Sequence, residues 1–132
     1  MKNIIKPKTA ANILLVMLAA LAIFHILMLL RVFPSNMVWG GRTDNSDISL
    51  ELLEGVGLVV TILIALIVSA KVGYLRVSRF SRIVNVAMWI VFGFFTLNII
   101  TNISSVSPLE RLIFTPVSVV IALLSLRLAM EK

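Results

Sequence analysis

The chain has 132 residues, of which 60% are hydrophobic and 14% charged, with a formal net charge of +6 and no cysteine. A soluble domain carries about 25% charged residues and, at this size, could not bury so much apolar surface. Composition therefore excludes an ordinary soluble domain and points to one transmembrane domain over residues 1–132, while the missing cysteines exclude disulfides and thiolate metal sites.

The first apolar run, residues 10–30, follows Lys2, Lys6 and Lys8. It is longer than the core of a signal peptide and no small-x-small site follows it, so it is expected to stay attached as a membrane helix. Arg31 and Pro34 mark its end. The hydrocarbon core of a bilayer, about 30 Å thick, needs about 20 residues of helix, because other backbone would leave peptide groups unpaired in lipid. Three more segments meet that length: 50–70, closed by Lys71; 83–103, ending at Ser104 and Ser105 before Pro108; and 109–130. Pro116 falls in the first two turns of the last segment, where a lost backbone bond costs least and a slight kink is expected. Connections are short except for residues 31–49, and short links make successive helices antiparallel neighbours. The predicted fold is an all-α, integral membrane antiparallel four-helix bundle.

Charge orients the bundle. Lys2, Lys6, Lys8, Lys71, Arg76, Arg79, Arg82, Arg127 and Lys132 fall on one side, against Arg31, Arg42 and Arg111 on the other. The side with fewer cations also holds Asp44, Asp47, Glu51, Glu54 and Glu110. Cytoplasmic flanks retain positive charge, so both termini and the 71–82 loop are expected in the cytoplasm of a multi-pass plasma-membrane protein. Because the basic residues cluster at helix ends rather than on one polar face, anionic lipid headgroups are their expected partners and nucleic acid is not.

In the long outer loop, Trp39-Gly40-Gly41-Arg42 reads either as an interfacial anchor with a tight turn or as a lid that contacts a ligand. Asp44, Asn45, Ser46 and Asp47 form a polar lead-in to the second helix, with Ser46 or Asp47 as its cap and Glu51 in its first turn. Small residues recur at Gly57, Thr61, Ala65 and Ser69, and again at Thr115, Ser118, Ala122 and Ser125. Such stripes let helices approach closely in lipid. Ala19, Ala22 and Gly93 are expected to act likewise, with small residues inward and large Leu, Ile and Phe mostly facing lipid. Trp89 is expected in the core or as a lipid-facing anchor.

With each span centred by length, His25, Glu54 and Asn98 lie about 6 to 9 Å outward of mid-membrane, and Thr115 at a similar depth. Ionisable groups in a span face the bundle interior or a wet cavity. The expectation is an outward-opening pocket floored by His25 and Glu54, with Arg31 or Arg111 offsetting the carboxylate. Asn98, Asn102, Arg111 and Trp39 complete the candidate ligand-binding set. Each has a structural alternative: His25 bonded to Asn98 or a backbone carbonyl, Glu54 paired with arginine, and the asparagines joining helices.

There is no Gly-rich phosphate loop, H-E-x-x-H or G-x-S-x-G motif, and one histidine with two carboxylates makes a poor zinc site. No cofactor or metal is expected. Three functions remain: a pocket for a small amphiphile, lipid or hydrophobic metabolite; an accessory or structural membrane protein without ligand; and a membrane enzyme using Glu54 and His25 as acid and base. Transport would need a homodimer, since four spans are few for alternating access.

Residues Asn36-Met37-Val38-Trp39-Gly40-Gly41-Arg42, with His25 before them and Phe114-Thr115-Pro116 in the last helix, resemble a group of small uncharacterised bacterial four-helix integral membrane proteins. The resemblance runs over most of the chain and implies a bacterial inner-membrane source and a role for the outer loop. It implies no activity or ligand.

Overall fold

The structure, a computed structural model, describes residues 5–41, 49–76 and 78–131. Four helices account for most of them: α1 (Pro7–Leu29), α2 (Leu50–Lys71), α3 (Ser81–Ile103) and α4, which begins as a π-helical turn at Glu110–Phe114 and continues as α-helix over Thr115–Ala129. Their lengths of 23, 22, 23 and 20 residues correspond to about 30 to 35 Å at 1.5 Å per residue, enough to cross a bilayer. The protein is an all-α, multi-pass membrane protein of four helices, and the boundaries lie within a few residues of those predicted.

Local chemistry explains where the helices begin and end. Pro7 starts α1 at a position where its missing N–H is not needed. Ser49 caps α2, its side chain accepting from the Leu52 amide at 3.2 Å. The cap is thus Ser49; Ser46 and Asp47, expected in that role, lie with Asp44, Asn45 and Arg42 outside the described residues. Both α1 and α2 close by the same device. Val32 N–H reaches the Leu27 carbonyl around Arg31, and Tyr74 N–H reaches Ser69 around Gly73. Arg31 and Gly73 take φ of 55° and 81°, a conformation that suits glycine and strains arginine.

Pro116 shapes the start of α4 more than a slight kink would. Its ring cannot sit against the carbonyl four residues earlier. The preceding turn widens, so that Thr115 returns its amide to the Glu110 carbonyl, which also accepts the Thr115 hydroxyl at 3.1 Å. Thr115 spends its polar atom within its own helix.

Packing runs α1–α2–α3–α4 and back to α1, with α1 closest to α2 and α3 closest to α4. The dry core fills the half of the bundle nearest the termini, where Leu14, Leu18, Val68, Met88, Ile121 and Leu128 are buried. Large side chains therefore point inward as well as outward, because a membrane interior gains its cohesion from dispersion contacts that Leu, Ile and Met also supply. Thr61, Ser118, Ala122 and Ser125 are buried as their stripes predicted, whereas Ala19 is exposed. Trp89 is 49% exposed and faces outward.

Polar ties close the terminal end: Arg127 donates to the Ile5 carbonyl at 2.9 Å and pairs with Glu131, while Tyr74 donates to Asn12 at 2.6 Å. At the opposite end, which carries the long loop, Phe24 of α1 stacks on Phe33 and meets Phe114 of α4 edge to face, with centroids 5.9 and 5.0 Å away. Between α2 and α3 the loop end holds no comparable core among the described residues.

Candidate functional site: a roofed cavity at the loop end

His25 faces α2 one turn before α1 ends, and its Nδ1 lies 2.5 Å from Glu54 Oε2. The approach depends on Gly57. A β-carbon there would stand 2.6 Å from the imidazole Cε1, so only glycine leaves room for the ring. Gly57 belongs to the small-residue stripe, but its space is filled by a polar ring rather than by a second backbone.

Glu54 is 1% exposed, and a carboxylate so deep requires partners. Its second oxygen, Oε1, accepts the Trp39 indole N–H at 2.7 Å. Expected pairing with Arg31 or Arg111 is not what satisfies it. Arg31 instead pairs with Glu51 at the exposed edge, and Arg111 is exposed on the π-helical turn. A neutral indole and an imidazole replace the arginine because both reach the carboxylate from the bundle's own elements, without drawing a guanidinium into the apolar layer.

Trp39 arrives through an unusual turn. Trp39 and Gly40 have consecutive positive φ of 55° and 72°, which turns the chain back over the end of the bundle. Gly40 N–H then donates to Glu110 Oε2 at 3.0 Å, and Glu110 also accepts the Ser105 hydroxyl. Ser107 Oγ donates to the Met37 carbonyl at 2.6 Å. Residues 37–40 are thereby bonded to α2, to the α3–α4 connection and to the first turn of α4. A left-handed tryptophan is strained; here its side chain and its neighbour's amide each reach a buried carboxylate. Glu110 was read from sequence only as one more outer acid. Its position just after a proline-bounded connection carried no mark of burial, and it is the main residue that sequence reasoning missed.

Beneath this turn lies a cavity of about 800 Å³, within the range of small-molecule sites, about 300 to 1,000 Å³. Its polar wall includes His25, Trp39, Glu54, Asn98, Asn102 and Glu110. Its apolar wall includes Phe24, Val60, Phe95, Phe114, Val117 and Ile121. Among the lining residues Val56 of α2 and Phe94 and Leu97 of α3 are 53%, 43% and 63% exposed, and Trp39 and Val106 at the loop end are 40% and 66% exposed, so exposed side chains border the cavity both between α2 and α3 and at the loop end. Among the described residues, no lysine or arginine lines the cavity.

Five of the six residues singled out from sequence thus surround one cavity, and Arg111 does not line it. Asn102 joins α3 to α4 by donating to Ser118 Oγ at 3.1 Å, while Asn98 donates to the Phe94 carbonyl of its own helix at 2.9 Å. His25 bonds neither Asn98 nor a carbonyl but Glu54. The chain matches no family model, no curated protein and no solved structure. Of the resemblance read from the sequence, the structure shows the four apolar, membrane-length helices alone.

Proposed function

We propose that this is a bacterial inner-membrane protein, with both termini cytoplasmic, that holds a small amphiphile, lipid or hydrophobic metabolite in the cavity between α2 and α3. The observation that carries this reading is the pairing, in one 800 Å³ space, of an apolar mouth at Val56, Phe94 and Leu97 with a polar inner wall at Glu54, His25 and Trp39. An amphiphile entering from the bilayer would leave its tail against the mouth and bring its head to the polar groups, matching apolar to apolar at the mouth and polar to polar at the inner wall. The nine-to-three distribution of Lys and Arg supports an outer-leaflet position for the cavity.

The test is native mass spectrometry of the full chain extracted directly from its membrane into lipid nanodiscs. A bound small molecule or lipid should remain at about one per chain, and Val56→Trp with Leu97→Trp, which narrow the mouth from its exposed side, should remove it. A wild-type chain without adduct, or an adduct indifferent to both substitutions, would overturn the proposal.

A further inference from the structure

The charge balance of the wall narrows the ligand class. Resting on the cavity reading above, we infer that the cavity takes a lipophilic amine, a molecule with a protonated ammonium head on an apolar body, seated between Glu54 and Glu110.

Two buried carboxylates, 1% and 9% exposed, border the cavity, and among the described residues no lysine or arginine lines it. Glu54 has His25 as its one basic neighbour, and Glu110 has only an amide and a hydroxyl, from Gly40 and Ser105, among the described residues. Each carboxylate oxygen has two lone pairs, so the bonds already made leave acceptor capacity for an ammonium N–H. Five aromatic rings, Phe24, Trp39, Phe94, Phe95 and Phe114, also line the space, and ring faces attract a desolvated cation. An anionic head would meet two carboxylates and, among the described residues, no lysine or arginine in a low-dielectric wall, where like charges repel far more strongly than in water. A neutral head would gain hydrogen bonds but no Coulomb attraction. The site therefore discriminates by charge sign, rejecting anions by repulsion as much as it attracts cations. An ammonium head could belong to a free amphiphilic amine or to an ethanolamine lipid; the chemistry at the carboxylates is the same.

The experiment uses the full chain carrying Trp89→Phe, which removes the lipid-facing tryptophan and leaves Trp39 as the only indole, in phosphatidylcholine nanodiscs. Dodecylammonium, dodecyl sulfate and dodecyl glucoside, corrected for partition into empty nanodiscs, are titrated against Trp39 emission, and bound probe is counted by native mass spectrometry. Dodecylammonium should saturate at one per chain, at least about tenfold more tightly than either other probe, and Glu110→Gln should weaken it by a larger factor than it weakens dodecyl glucoside. Equal or tighter binding of the sulfate or glucoside would overturn the amine assignment while leaving the cavity reading intact. No saturable response to any probe would overturn both. If added phosphatidylethanolamine competes with dodecylammonium, the amine is a lipid head; if it does not, the amine is free, and both results support the inference.

Discussion

Gly57 and His25 are a lock and its filling: a β-carbon at position 57 would lie 2.6 Å from the imidazole Cε1. Because the ring is also fixed 2.5 Å from Glu54, it cannot swing aside without breaking that bond. Gly57→Ala should therefore destabilise the protein by about 1 to 3 kcal/mol, the usual cost of overpacking, although alanine is the better helix former in isolation. Combining it with His25→Ala removes the clash, so the two effects should be clearly non-additive. Thermal unfolding of the four members of this cycle in one detergent checks it, and simple additivity would count against the contact.

Glu54 should be the least replaceable acid in the chain. Glu54→Ala leaves the His25 ring nitrogen and the Trp39 indole N–H without their partner, and an orphaned buried polar group costs about 1 to 3 kcal/mol. Glu54→Gln, which keeps the shape and one acceptor oxygen, should lose less. Arg31→Ala breaks an ion pair whose side chains are 76% and 49% exposed, and exposed pairs contribute little, so its melting temperature should match the wild type. A ranking with Arg31→Ala as costly as Glu54→Ala would contradict the burial of the His25–Glu54 pair.

How much of this was legible in sequence follows from what each feature depends on. Helix extents depend on long apolar runs, and α1 to α4 fall close to residues 10–30, 50–70, 83–103 and 109–130. The depth of His25, Glu54 and Asn98 depends only on helical rise, so their meeting around one cavity was also readable. Partners were not. Whether Glu54 takes an arginine or Trp39 depends on the path of the chain after Arg31, which a pair of left-handed residues bends back over the bundle. Tryptophan gives no sequence sign of adopting that conformation. Glu110 was overlooked for a related reason: its burial comes from Gly40, Ser105 and the widened turn before Pro116, none of them local to a helical face.

The turn at residues 37–40 should behave as one unit. Gly40 has φ of 72° with open space where a β-carbon would go, so Gly40→Ala meets backbone strain alone, about 1 to 2 kcal/mol. Trp39→Phe keeps an aromatic ring but removes the N–H that Glu54 accepts. Either change should raise amide hydrogen exchange across Met37–Gly40 while leaving the packed half around Leu14, Val68 and Leu128 protected. Ser107→Ala, which removes the bond to the Met37 carbonyl, should do the same more weakly. Exchange rising equally throughout the bundle would show that the turn is not an independent local element.

Orientation can be read directly because the chain has no cysteine, so every introduced thiol reports its own side. Ser104→Cys follows α3 at the loop end, and Leu75→Cys lies in the α2–α3 connection at the end that carries the termini; both positions are exposed. Lys71, Arg76, Arg79 and Arg82 surround the second of these sites in sequence, and such cations resist translocation across an energised membrane. A membrane-impermeant maleimide should label Ser104→Cys in intact cells or right-side-out vesicles and reach Leu75→Cys only after the membrane is opened. Reversal of that pattern would turn the cavity toward the cytoplasmic leaflet, and the ligand it takes would then have to be drawn from that side.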